Sequence, residues 1–253
     1  MRLIILSCLI LSASGATVWY TGRGSDFNYG LLIDASVSMA ANDFKPTRID
    51  AAKEAVLAFI NTIDSARIGI VTFTGTTFVK QRLTDNIDDV KKAIEEIHIE
   101  SVGGTAIGDT LVVGSNLFFS GIESAPEAKD NVLILVTDGQ SNVGLDVKDA
   151  IPFLLDNNVL VHTIGVGTVK GGEFIDDVVS KIDEDTLKFI AEETGGTYHR
   201  AEGADQLKGI FEDVAELRIK RVNKNLTLAL LLSGIVLLLI EWGLMNSKFR
   251  SLP

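Results

Sequence analysis

Cysteine and histidine are scarce in this chain, which limits the metal and redox chemistry open to it. Its 253 residues include one cysteine, Cys8, and three histidines. A single cysteine forms no disulfide within the chain, so cysteine usage says nothing about the compartment. His98, His162 and His199 lack the spacing of metal-binding pairs. The histidines therefore do not indicate a metal site by their spacing.

Basic residues are also fewer than acidic ones. The chain has 23 lysines and arginines against 34 aspartates and glutamates, a formal net charge of −11. Nucleic acid is not an expected partner, because its phosphates repel an acidic protein. Cations are natural partners instead. The length suits one globular domain with accessory segments.

Glycine is common, but no nucleotide-binding fingerprint accompanies it. The glycine-rich stretch GVGTVKGG, residues 165–172, does not match a dinucleotide or phosphate-binding loop. It predicts a loop followed by a hairpin.

Both ends of the chain are apolar. Residues 1–20 carry Arg2 followed by a long apolar run, which is typical of either a cleaved signal peptide or an N-terminal membrane anchor. A polar linker comes next, at residues 21–27. Near the other end, residues 225–245 have the length and composition of a transmembrane helix, with a short tail at 246–253.

The charged residues that flank the two apolar segments predict opposite membrane orientations. A basic cluster before the last apolar segment, between Arg218 and Lys224, favours a cytoplasmic domain. Arg2, before the first apolar segment, favours export of the domain behind that segment. Large domains cross membranes largely regardless of their charge. We therefore expect the domain to lie outside the cytoplasm, anchored to the cell membrane by one or two spans.

Between the ends, apolar runs alternate with helical patterns. The pattern predicts an α/β domain over residues 28–222, with a doubly wound, mostly parallel sheet and helices on both faces. Predicted strands lie at 29–34, 67–73, 76–83 (an edge), 131–139, 159–167 and 197–201. Predicted helices lie at 48–63, 87–97, 105–119, 147–157, 185–194 and about 205–222.

Oxygen-bearing side chains lie just past the predicted strand ends. Asp34, Ser36 and Ser38 come directly after the first central strand, and Asp138 comes after another. Thr105 lies in a loop that opens a helix. In open α/β sheets, ligands bind outside the carboxyl ends of the strands. We therefore expect these five side chains to share one rim of the sheet.

Each of these residues alone has an ordinary explanation, such as a turn or a helix cap. Together they supply two carboxylates and three hydroxyls, with no histidine or cysteine nearby in the sequence. Such a set suits a hard cation, Mg²⁺ or Mn²⁺, rather than zinc.

The segments DASVSM, GGTAIGD and VTDG resemble the metal-ion-dependent adhesion site of von Willebrand factor A domains. The family pattern, Asp-x-Ser-x-Ser with a distant threonine and a distant aspartate, carries over to Asp34, Ser36, Ser38, Thr105 and Asp138. The resemblance implies direct metal ligation by the three hydroxyls, with the aspartates acting directly or through water. It also implies a protein partner that supplies an Asp or Glu to the metal.

A closer resemblance is to the BatA-like membrane proteins of the aerotolerance operon. It is carried by MAANDFKPTRIDAAKEAV, by VVSKIDEDTLKFIAEETGGTYHRA and by the final apolar segment. That family has two membrane segments before the domain, whereas this chain has one. The resemblance implies a functional link to a MoxR-type AAA+ ATPase.

These features favour a membrane-anchored, metal-dependent interaction module that is not an enzyme. One alternative is a Mg²⁺-dependent hydrolase or phosphotransferase. That alternative lacks support from the motif, because position 36 is serine rather than a second aspartate and neither Ser36 nor Ser38 has flanking glycines. Another alternative is a purely structural subunit of a membrane complex.

Overall fold

The chain forms two compact units, residues 23–219 and residues 1–22 with 220–253. The computed structural model describes residues 10, 12, 14–15, 17–23, 27–63, 66–119, 130–138, 141–168, 172–175, 178–180, 182–216, 219–225 and 227–246. Most of the predicted N-terminal segment, nearly all of the tail, and Arg2, Cys8 and Arg218 lie outside the described residues.

The strands and helices alternate as the sequence predicts. The strands are β1 Thr17–Arg23, β2 Phe27–Asp34, β3 Arg67–Phe73, β4 Thr77–Thr84, β5 Asp130–Thr137, β6 Val159–Val166, β7 Gly172–Ile175, β8 Val178–Ser180, β9 Tyr198–Ala201 and β10 Ile219–Asn225. The helices are α1 Arg48–Thr62, α2 Ile87–Glu95, α3 Ile107–Asn116, α4 Val147–Asp156, α5 Glu184–Thr194, α6 Ala204–Glu216 and α7 Thr227–Asn246. A short 3₁₀ helix covers Val37–Ala40.

The larger unit is built on a six-stranded sheet with the order β4-β3-β2-β5-β6-β9. Strand β2 runs parallel to both β3 and β5, and β6 runs parallel to β5 and β9. Only β4, at one edge of this sheet, is antiparallel to its neighbour. The predicted α/β fold with a mostly parallel sheet is confirmed. An antiparallel pair, β7 and β8, follows β6, but it begins only at Gly172, where the stretch 165–172 that predicted a loop and hairpin ends.

Helices cover both faces of the sheet because successive strand residues point to opposite sides. On one face, α1, α2 and α6 bury Tyr29, Phe59 and Phe211, whose rings are in contact. On the other face, α3, α4 and α5 pack on Leu32 and Leu135. Central strands buried on both sides explain the uninterrupted apolar runs of the sequence.

The strand order places a topological switch at β2. The chain leaves β2 through α1 to β3 on one side, whereas β5 pairs with the opposite side of β2. The crevice beyond the carboxyl ends of β2 and β5 is therefore the expected ligand-binding position in this sheet. Asp34 ends β2, and Asp138 comes directly after β5.

The smaller unit contains a two-stranded sheet of β1 and β10, together with α7. The expectation that the last domain helix continues to Val222 is wrong, because α6 ends at Glu216 and Ile219–Asn225 is a strand. Pairing with β1 supplies the backbone hydrogen bonds that stabilise this segment as a strand. Part of the predicted linker, residues 21–23, also lies in β1.

Helix α7 occupies the segment predicted to span a membrane and has 20 residues. Within the described residues, no helix has the length and apolarity of a membrane span.

Candidate metal site

The first part of the site forms where β2 ends. Asp34 is fully buried, and its Oδ1 accepts a hydrogen bond of 2.8 Å from the backbone N–H of Ser36. This bond turns the chain into the 3₁₀ helix at Val37–Ala40, so that the next two hydroxyls face each other. The Oγ atoms of Ser36 and Ser38 are 3.0 Å apart. The Asp-x-Ser-x-Ser segment thus gathers three oxygen-bearing side chains in one turn.

Strand β5 supplies the second part. The hydroxyl of Thr137 donates a 2.6 Å hydrogen bond to Asp34 Oδ2. Asp138, the next residue, is fully buried, and its carbonyl oxygen accepts a bond of 2.8 Å from the N–H of Asp183. The predicted proximity of Asp138 to the end of β2 therefore has a direct structural basis.

Thr105 lies in the loop before α3, and backbone bonds fix that loop against the rim. The N–H of Ala106 donates a 2.7 Å bond to the carbonyl of Thr74, just past β3. The side-chain oxygen of Asn142 accepts a bond of 2.8 Å from the N–H of Thr105. Gly104 has φ +90°, a left-handed conformation that favours glycine. Thr105 itself is 5% exposed.

The negative charge of Asp138 destabilises the charged form of the buried Asp34 carboxylate. Burial, and after it the negative charge of Asp138, raises the pKa of Asp34 to about 7, although hydrogen bonds from Ser36 and Thr137 oppose the rise. Two anions this close in a low-dielectric interior need a compensating positive charge.

Part of that compensation is an arginine that the sequence pattern did not single out. Arg48, the first residue of α1, is fully buried, and its Nη1 lies 3.6 Å from Asp138 Oδ2. Its Nε and Nη2 donate to the two carboxylate oxygens of Asp43, each at 2.7 Å. Burial alone would raise the pKa of Asp43, but hydrogen bonds from Arg48 and Thr168 outweigh it and hold that pKa below its ordinary value.

The donor set fits a divalent cation. It combines buried carboxylates with neutral hydroxyls, which are the oxygen ligands that Mg²⁺ and Mn²⁺ prefer. No group of three His, Cys, Asp or Glu side chains arranged as metal ligands occurs within the described part of the chain. The predicted set contains only two such residues, Asp34 and Asp138, and otherwise uses hydroxyls. The metal roles of the five residues stay a prediction.

Three residues of this network were not predicted from the sequence: Thr137, Asp43 and Arg48. Thr137 could have been identified from the sequence, because it directly precedes the candidate ligand Asp138. Arg48 had no such signal, because an arginine beside an amphipathic helix stripe is normally solvated. Only the fold shows that it is buried.

Comparison with known proteins agrees with this geometry. A family model described as von Willebrand factor type A domain matches residues 30–213. A UPF0353 protein of Nocardia farcinica is 28% identical over 239 residues, covering 85% of this chain and 70% of that protein. A second UPF0353 protein, from Mycolicibacterium vanbaalenii, is 28% identical over 230 residues, covering 82% of this chain and 67% of that protein.

Solved structures share the fold. The structure of BatB from Bacteroides thetaiotaomicron superposes with a TM-score of 0.66 at 22% identity, covering 75% of this chain and 98% of that one. Proximal thread matrix protein 1 of the mussel byssus, described with a zinc-occupied MIDAS motif, gives a TM-score of 0.63 at 24% identity, covering 83% of this chain and 49% of that one.

Proposed function

The chain belongs to the von Willebrand factor type A domain family, and from that premise we propose that it is a membrane-anchored interaction module. Its rim binds a divalent cation and, through that cation, an acidic side chain of a protein partner. Ser36, Ser38 and Thr105 hold the ion directly, and Asp34 and Asp138 hold it directly or through water.

The observation that carries this proposal is the buried pair Asp34 and Asp138 at the switch point of the sheet, beside the facing hydroxyls of Ser36 and Ser38. A bound divalent cation would add to the positive charge that Arg48 already directs at Asp138. Because neutral hydroxyls dominate its direct ligands, the ion retains enough charge to attract a carboxylate from outside. The site therefore suits recognition of an Asp or Glu.

We propose Mg²⁺ or Mn²⁺ as the resident ion, because hard oxygen ligands without histidine or cysteine favour these metals over zinc. The zinc described in the mussel protein supports the general capacity of this fold to hold a divalent ion at the equivalent motif. Competition between zinc and Mn²⁺ on this chain would decide the identity of the metal.

Membrane anchoring through α7 is part of the proposal. This helix exposes large apolar side chains, including Leu232, Val236, Leu239 and Trp242, and such an exposed apolar surface is suited to contact with lipid. A structural relative with the same fold is an aerotolerance-related membrane protein of Bacteroides fragilis. We place the domain outside the cytoplasm, with a MoxR-type AAA+ ATPase as a functional associate.

We infer a binding role rather than catalysis from the hydroxyl and histidine contacts. Ser36 Oγ faces Ser38 Oγ. The histidine rings hydrogen-bond away from these serines, His98 to the Glu96 carbonyl and both His162 and His199 to Thr197. A serine nucleophile needs an adjacent base to activate it.

Site-specific crosslinking tests the proposed function. A photo-crosslinking residue at Val143, which is 40% exposed and lies next to the Thr105-binding Asn142, is introduced into the full chain in its native membrane. We expect a protein crosslink that requires Mg²⁺, disappears with Ser36→Ala/Ser38→Ala, and disappears when one acidic residue of the partner becomes an amide. An equal crosslink in chelator would contradict metal-dependent recognition. A metal effect on melting temperature alone would favour the structural alternative.

A further inference from the structure

Arg48 occupies an unfavourable position for a cation. It is the largest fully buried side chain among the described residues, and it begins α1 directly after the N-cap Thr47. The N-terminus of a helix carries a partial positive charge, so a cation there is disfavoured. A buried arginine in such a place must be compensated by nearby anions.

Asp43 fixes the orientation of the Arg48 guanidinium. One carboxylate oxygen of Asp43 accepts a hydrogen bond from Nε of Arg48 and the other accepts one from Nη2, each at 2.7 Å, so the ion pair is bidentate. Asp43 is itself held by the backbone N–H of Thr168 at 3.0 Å. The remaining Nη1 lies 3.6 Å from Asp138 Oδ2. The positive end of this ion pair therefore faces Asp138, and the negative end faces away.

We infer that Arg48 is an internal counter-charge of the site: it holds Asp138 when no divalent ion is bound and competes with that ion for the same carboxylate. The effect on metal binding rests on the proposed function, whereas the coupling of Arg48 to Asp138 does not. Arg48 acts as a positioning residue. Its presence keeps the site formed without metal and keeps the ion exchangeable.

The counter-charge role predicts opposite effects from two changes. The double variant Arg48→Met/Asp43→Asn replaces the ion pair by two neutral side chains of similar volume. Because Arg48 then no longer repels the metal ion, the protein should bind a divalent cation more tightly. In Asp43→Asn alone, Arg48 keeps its charge but loses its competing partner, so it interacts more strongly with Asp138 and metal binding weakens. A purely structural Arg48 would instead weaken binding in both variants by loosening the site.

Mn²⁺ titration of the full chain in detergent, followed by electron paramagnetic resonance of the free ion, measures both effects. We expect the Kd for Mn²⁺ to fall about tenfold in Arg48→Met/Asp43→Asn and to rise about tenfold in Asp43→Asn. The matched control is Glu54→Gln/Lys208→Met, which removes an exposed ion pair that also involves α1 and should leave the Kd unchanged. Weaker binding in the double variant would overturn the inference.

Melting temperatures in chelator test the coupling without metal. Asp138→Asn should lower the melting temperature about twice as much in the Asp43→Asn background as in the wild type, because Arg48 has then lost the bidentate carboxylate of Asp43 and its buried charge depends more strongly on Asp138. An equal decrease in melting temperature in the wild-type and Asp43→Asn backgrounds would overturn the inference. This test does not require Arg48→Met/Asp43→Asn to fold. If the wild type binds no Mn²⁺ but the coupling is present, the proposed function fails and the counter-charge role stands.

Discussion

Asp34→Asn should stabilise the metal-free protein while abolishing its response to metal. Asp34 is fully buried beside Asp138, and asparagine removes its charge with little change in shape. The hydrogen bond from the Ser36 N–H can persist to the amide oxygen, and the Thr137 hydroxyl can rotate to accept from the amide nitrogen. The main change is therefore the loss of a negative charge.

The magnitude comes from the pKa of Asp34, which burial and then the charge of Asp138 raise from 3.8 to about 7. Because the folded-state pKa exceeds the ordinary value, this group contributes stability that is fully present below pH 3.8 and is lost as the pH rises through about 7. At pH 8 the lost stability has an upper limit of about 4 kcal/mol, at about 1.4 kcal/mol for each pKa unit. A chain of this size gains about 2–4 °C in melting temperature for each kcal/mol.

Thermal unfolding of the full chain in chelator, at pH 8 and at pH 5, is the assay. We expect Asp34→Asn to melt up to about 16 °C above the wild type at pH 8, with a smaller gain at pH 5. Asp43→Asn is the matched control: that carboxylate has a lowered pKa through Arg48, so removing its charge should destabilise the protein at pH 8. If Asp34→Asn melts below the wild type at pH 8, the reasoning about the uncompensated charge is refuted.

Three further predictions concern the supporting structure and the membrane. Gly108→Ala should lower both the melting temperature and the affinity for Mn²⁺, because the new Cβ would lie 2.1 Å from the Leu145 carbonyl oxygen. The control is Gly209→Ala, whose new Cβ meets nothing within 4 Å. It should leave the Mn²⁺ affinity unchanged and leave the melting temperature unchanged or slightly higher. Thr137→Val should cost about 1 kcal/mol in denaturant unfolding by removing the hydroxyl that binds Asp34, and an unchanged stability would contradict that role. Protease added to intact spheroplasts should digest the domain, and protection until lysis would place it in the cytoplasm.

The central sheet could be predicted from the sequence because its signals are local. Strands such as Phe27–Asp34 and Asp130–Thr137 contain continuous apolar runs, and each run ends where a polar residue begins the rim. Parallel strands in alternation with helices leave few topologies. The position of the five candidate ligands on one rim is therefore a consequence of the fold class.

The pairing of β1 with β10 could not be predicted in the same way. Its two segments are separated by almost the whole domain in sequence, and each resembled something else: Thr17–Arg23 the end of an apolar segment, and Ile219–Asn225 the continuation of a helix. Strand formation there depends on the distant partner rather than on a local pattern.

The burial of Arg48 was equally invisible in the sequence. Its neighbours Ile49 and Ala52 mark the apolar stripe of α1, but a charged residue beside such a stripe is normally exposed. Asp43 and Asp138, which surround the guanidinium, come from two different loops. Charge compensation among segments distant in sequence is a property of the assembled rim.

The number of Mn²⁺ ions that the purified full chain binds, measured by electron paramagnetic resonance of the free ion, tests the proposed metal site most directly. We expect one ion per chain in the wild type and none at the same concentration in Ser36→Ala/Ser38→Ala, with the melting temperature of that variant in chelator close to the wild-type value. Equal stoichiometry and affinity in the two proteins would contradict a metal site built on these hydroxyls.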